Sequence, residues 1–129
     1  MEIIGQPPEL AGLKCDALIC EGFVLKGQTV TNANVVHLCF AGTWHKLILD
    51  YGVIIWRRPE KAPEPPAMSE ASSDYPHVDV GMAADVVGHH LEKYEMQATT
   101  CGCQVTFLFD NGRSVIIDNV QDQSEYRIS

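Results

Sequence analysis

The chain has 129 residues, 46% of them apolar, and a formal net charge of −8. That is enough for one domain with a real core, and no run of about 18 apolar residues is present to span a membrane. The acidic balance argues against nucleic acid or an anionic membrane surface as a partner.

Taken in chain order, Pro7–Gly12 reads as a turn of helix, with Pro at its start and Gly at its end. Lys14–Leu25 reads as a strand. Lys26–Asn34 is polar, with Gly27 and two asparagines, and reads as a loop. Val35–Phe40, Trp44–Asp50 and Val53–Arg58 follow as strands divided by turns at Ala41-Gly42-Thr43 and Tyr51-Gly52. Residues 59–76 hold five prolines and three glutamates and form a spacer, part polyproline II and part coil. Its Pro63-x-x-Pro66 matches an SH3-type ligand, as any Pro-rich spacer does. His77–Val80 is extended, and Met82–Val87 reads as a short helix ended by Gly88. Leu91–Thr99 reads as a strand. Cys103–Phe109 and Arg113–Asn119 pair through Asp110-Asn111-Gly112, a tight-turn signal. Ser124–Ile128 is the last strand.

The two halves echo each other. Glu9-Leu10-Ala11-Gly12 matches Asp85-Val86-Val87-Gly88. Val36-x-Leu38-x-Phe40 followed by Leu47-Ile48-Leu49-Asp50 matches Val105-x-Phe107-x-Phe109 followed by Val115-Ile116-Ile117-Asp118. Such a repeat predicts an α+β, mostly β fold: a duplicated unit of a short helix followed by an antiparallel β-meander, the two repeats packed around one core. The units are 1–58 and 77–129, joined by the 59–76 spacer. Leu47-Ile48-Leu49 and Val53-Ile54-Ile55-Trp56 are apolar on both sides, so they need cover on both faces. The other repeat, the helices or a second copy in a homodimer would supply it.

Charge and cysteine usage point to a location and a kind of partner. Residues 1–58 carry five acids and five bases, whereas 59–129 carry twelve acids and four bases. The whole negative excess lies in the second part, where it promotes solubility and attracts a basic protein. The five cysteines are odd in number, and Cys15, Cys20 and Cys39 lie in apolar segments. They read as free thiols of a reducing compartment. Residues 1–8 lack the basic start and apolar stretch of a signal peptide, so the expected location is cytoplasmic.

No catalytic residue is assigned: there is no Gly-rich phosphate loop, no GxSxG elbow and no HExxH. Cys101 and Cys103 with His89 and His90 are the runner-up metal set. Their spacing is not that of a zinc knuckle, and adjacent histidines on an extended path point apart, so no metal and no cofactor are expected. Asp50 and Asp118 end equivalent strands, as acids at strand ends often do; a close approach would raise the pKa of one of them. The expected partner contacts are Trp44, His45, Trp56 and Arg57, aromatic and basic anchors side by side, with the acids Asp85, Glu92 and Glu95.

The run Val86-Val87-Gly88-His89-His90-Leu91-Glu92-Lys93-Tyr94, followed by Val105-Thr106-Phe107-Leu108-Phe109-Asp110-Asn111-Gly112-Arg113-Ser114-Val115-Ile116-Ile117, resembles a pattern of small bacterial proteins. That pattern is a short helix ending in Gly, a strand and an Asn-Gly hairpin. Some of those proteins resemble immunity proteins of bacterial toxin systems, which are small, acidic and cytosolic and bind a cognate toxin. The resemblance implies no functional residue here. The resulting expectation is a non-catalytic protein-binding module of a bacterial cytosol, immunity-like, neutralising a basic partner. The alternative is a small-molecule or metal-dependent enzyme whose site between the repeats gathers His37, His45, Asp50 and Cys103.

Overall fold

The computed structural model describes residues 1–64 and 73–129. Of the spacer, residues 65–72 lie outside the described residues, and half of the Pro63-x-x-Pro66 match with them. Among the described residues the strands are β1 (Glu2–Ile4), β2 (Cys15–Leu25), β3 (Gln28–Phe40), β4 (Thr43–Asp50), β5 (Val53–Arg57), β6 (Ser73–Asp74), β7 (His77–Asp79), β8 (Leu91–Ala98), β9 (Gly102–Phe109), β10 (Ser114–Val120) and β11 (Gln123–Ile128). The one helix among these residues, α1 (Val80–Ala83), has 4 residues.

Two sheets result. The first runs β1-β5-β4-β3-β2, with β6 and β7 both on the far edge of β2. All its pairings are antiparallel except β1 with β5. The second is the antiparallel meander β8-β9-β10-β11. Alternation explains why the sheets stack. In β9, Cys103, Val105, Phe107 and Phe109 are fully buried, and the residues between them are half-exposed. A period of two puts one apolar row on one face of the strand. Leu18, Cys20, Val36, Leu38, Phe40, Leu47, Ile54 and Trp56 give the first sheet a matching inner face, and both rows belong to one core. Phe40 and Phe109 stack across it with centroids 6.4 Å apart. Each such ring contributes about 1.5–3 kcal/mol by leaving water.

Polar pins fix the sheets relative to each other. The Thr31 hydroxyl donates to the Ser124 carbonyl and accepts from the Ser124 N–H at 3.0 Å. Asn32 Oδ1 accepts from the Tyr126 N–H at 2.8 Å. Buried Asn119, on β10, reaches over to the first sheet: its Nδ2 donates toward the Leu49 carbonyl (3.2 Å), and its Oδ1 accepts from the Gly52 N–H (3.0 Å).

The expected fold, a duplicated α+β unit of a short helix followed by an antiparallel meander, is corrected: the described fold is almost entirely β. It is not a repeat of one unit, because a seven-stranded sheet with one parallel pair faces a four-stranded antiparallel meander. Pro7–Gly12 contains no helix, and Met82–Val87 is replaced by the single turn α1 and a left-handed Asp85 at φ 59°. Segments this short do not sustain a helix on their own hydrogen bonds. Their backbone groups pair with each other instead. The Gly12 N–H donates to the Leu91 carbonyl (2.7 Å), Gly88 to Cys15 (2.8 Å), Cys15 to His89 (2.8 Å) and Leu91 to Leu13 (2.9 Å). The expected loop at Lys26–Asn34 is also corrected. Only Lys26-Gly27 turns, with φ 51° and 76°, the positive pair that suits a two-residue hairpin. The polar residues after it are the first half of β3.

Candidate functional site

The best-formed cluster of titratable side chains lies on the outer face of the first sheet, and strand register creates it. Glu21 on β2 stands directly opposite His77 on β7. Ile19, two residues earlier and therefore on the same face, stands opposite His37 on β3. His37 is thus diagonal to Glu21, and its other cross-strand neighbour is Lys46 on β4. Pairing is irregular between Glu21 and Phe23, where β2 advances two residues and β3 four (Val35 to Thr31), a bulge of the kind that re-aims a side chain. The Gly22 N–H bonds to the Pro76 carbonyl at 2.8 Å, which seats β7 beside the bulge.

The two imidazoles share one carboxylate oxygen. His77 Nε2 lies 2.9 Å and His37 Nε2 3.3 Å from Glu21 Oε1. The rings are 5.5 Å apart. His37 is 5% exposed. Burial pushes its pKa below the usual histidine value, and the Glu21 carboxylate opposes that only in part. Glu21, His37 and Lys46 form the floor of a half-open cleft of about 310 Å³. Pro59, Lys61, Ala62, Pro63 and Glu64 line its other side. One ligand atom from each of Glu21, His37 and His77 lies within 4.8 Å of the other two. Two imidazoles and a carboxylate at this spacing can relay a proton or hold a divalent cation.

The residues expected to contact a partner are distributed over both faces. Trp44 is half-buried on the outer face opposite Cys39, beside Arg58, Pro59 and Glu60. Trp56 is a core residue at 2% exposure, its Nε1 directed at Met96 Sδ (3.4 Å) and its ring set edge-on to Tyr94. His45 is buried on the inner face opposite Leu38. Burial, and then the positive charge of Arg58, lower its pKa. Neither Trp56 nor His45 can reach a partner without unpacking the core. Arg57 is exposed and donates to the Trp56 carbonyl at 3.1 Å. Asp85, Glu92 and Glu95 are exposed on the side of the second sheet, with Glu95 3.2 Å from Lys93.

The enzyme constellation does not assemble. His37 faces out from the first sheet, His45 and Cys103 are buried, and Asp50 is exposed at a turn. Burial pushes the Cys103 thiol up to about 11. The set Cys101, Cys103, His89 and His90 is split between opposite ends of β9. Leu91 pairs with Phe109 at one end, Ala98 with Cys103 at the other, a separation on the order of 20 Å. His89 and His90 instead flank Asp110 at 3.0 and 3.7 Å. The Asp118 carboxylate is taken by Gln104 (2.6 Å) and Arg127 (2.7 Å). Desolvation would raise its pKa, but those hydrogen bonds outweigh it and hold the group below the usual carboxylate range.

Glu21, His77 and Lys46 escape a reading by sequence motif because they come from strands far apart in the chain. The only local signal is a lone polar residue on the outward side of an apolar strand, at Glu21 and again at His37. No family model, curated protein or solved structure matches this chain. No helix among the described residues is long and apolar enough to cross a membrane.

Proposed function

We propose that the protein is a non-catalytic binding module of a bacterial cytosol that holds a basic protein, as the immunity proteins it resembles do. The uneven distribution of charge along the chain carries this reading. Residues 1–58 are balanced, whereas 73–129 carry nine acids against three bases. Asp85, Glu92, Glu95 and Asp110 are all exposed. A field of one sign speeds encounter with a partner of the other. The space between the sheets is filled by Phe40, Phe107, Phe109 and their neighbours, which speaks against an enzyme site there. Outward Ile48, Ile55 and Ile116 are half-buried within one chain, which favours a monomer over a homodimer as the cover for the doubly apolar strands.

The test compares wild type with the double charge reversal Glu92→Lys, Glu95→Lys as bait in lysate of the native host. Wild type is expected to enrich a basic protein that the reversal loses. The association rate of that pair is expected to fall at least tenfold between about 0.05 M and about 0.5 M salt. An acidic partner, or one held equally by both baits, overturns the reading.

A further inference from the structure

We propose that Glu21, His37 and His77 bind one divalent first-row transition-metal ion, for which zinc is the natural probe, with a remaining coordination position open to the cleft beside Lys46. Neither the fold nor the partner reading assigns this site. It shares no residue with the acidic set Asp85, Glu92, Glu95 and Asp110, so the two proposals stand or fall separately.

The distances carry the argument. Zinc holds nitrogen and oxygen donors at about 2.0–2.1 Å, which puts neighbouring donors of a tetrahedral site roughly 3.3 Å apart. His37 Nε2 is 3.3 Å and His77 Nε2 2.9 Å from Glu21 Oε1. Inserting an ion therefore asks His77 to retreat by a few tenths of an ångström, well within the motion of a side chain at the end of a three-residue strand. The donors also come from three strands of one sheet, β2, β3 and β7. Their spacing is fixed by backbone pairing, and little ordering is left for the ion to impose. The chemistry agrees: a buried imidazole favours the neutral form that a metal requires, and the carboxylate supplies negative charge. A His₂–carboxylate set with an open position suits zinc or ferrous iron better than the hard cations calcium and magnesium. One neighbour opposes the cation. The Lys46 ammonium lines the same cleft, and it weakens metal binding while favouring an anionic group in the open position.

The experiment uses the full chain, freed of metal and without an affinity tag. Zinc is titrated against a chromophoric chelator, and cobalt(II) is followed by its visible absorption. One ion per chain is expected, with visible cobalt bands and zinc binding at about micromolar or tighter. His77→Gln and Glu21→Gln should each weaken zinc at least about 10-fold. Lys46→Met should tighten it. His89→Gln and Cys101→Ser should leave it unchanged. A variant that fails to fold is replaced by proton NMR of wild type, where zinc must move the ring signals of His37 and His77 and leave those of His89 and His90. Absent or substoichiometric binding overturns the proposal, as does binding that survives His77→Gln or is lost in Cys101→Ser. Either result leaves a hydrogen-bonded surface cluster and nothing more.

Discussion

Replacing Asn119 should separate the two sheets more effectively than replacing any exposed polar residue. The side chain is 1% exposed. Its Nδ2 faces four acceptors: the carbonyls of Leu49 (3.2 Å), Gln121 (3.0 Å) and Gln123 (3.1 Å), and Ser124 Oγ (3.1 Å). Its Oδ1 accepts the Gly52 N–H. Asn119→Ala strands that N–H and removes the donor to those carbonyls. The Leu49 carbonyl keeps a second partner in the Ser124 hydroxyl at 2.8 Å. A stranded buried group costs about 1–3 kcal/mol. With the small cavity added, the expected loss is about 2–4 kcal/mol, or roughly 10 °C in Tm for a domain of this size. Asn119→Asp preserves the acceptor but turns a carboxylate oxygen toward those same oxygens. The folded state then favours the protonated acid, and its pKa rises above the unfolded value of about 3.9. Stability should therefore fall as pH rises above about 4, and the variant should be worse at pH 8 than at pH 5. Urea unfolding followed by circular dichroism and tryptophan fluorescence measures both, read as a shifted midpoint at constant slope. A loss under about 0.5 kcal/mol for Asn119→Ala refutes the pinning role. So does an Asn119→Asp variant indifferent to pH.

Two further outcomes are expected. Only Cys101 is exposed, and burial pushes Cys15 and Cys20 up to about 12 and Cys103 to about 11. A disulfide reagent at about pH 8 should therefore label one thiol per folded chain, and the rest only in denaturant; a second equally fast thiol contradicts the burial pattern. Burial lowers the folded pKa of both His37 and His45, so the unfolded chain binds protons more readily. The stability they hold as neutral groups is complete above the unfolded value of about 6.5 and is lost as pH falls below it through the lower folded values. The urea midpoint should drop between about pH 7.5 and about pH 5.5. The combined His37→Gln, His45→Gln variant should flatten that slope. A midpoint that rises on acidification over this window counts against the assignment.

The strands with clean alternation were legible from residues alone. The pair Cys103–Phe109 and Arg113–Asn119 announces itself through Val105, Phe107 and Phe109 and through the Asn111-Gly112 turn, and the observed second strand is Ser114–Val120. The helices were not, because Pro7 and Gly12 punctuate a loop as readily as a helix, and local pattern cannot reveal that Gly12 and Gly88 donate across to the other half. Within the expected loop Lys26–Asn34, residues Gln28–Asn34 are strand, because buried polar residues such as Thr31 look like loop until their partner Ser124, 93 positions away, is known. The candidate metal cluster was illegible for a related reason. His77 reaches Glu21 only through the pairing of β7 on β2, and the intervening spacer gives no hint of that register. Trp44 and Trp56 look alike as anchors in sequence, and only strand parity separates the half-exposed one from the core one.

The placement of β6 and β7 bears on biosynthesis. A sheet formed from the first five strands as they leave the ribosome would have a β2 rim, carrying Leu18 and Cys20 inward, unshielded on its far side until residues 73–79 are made. Bare strand rims recruit other chains. The later strands thus act as a shutter over a nascent sheet. The same event delivers the third corner of the Glu21–His37–His77 triangle, so a chain interrupted before residue 73 would lack both its shield and His77.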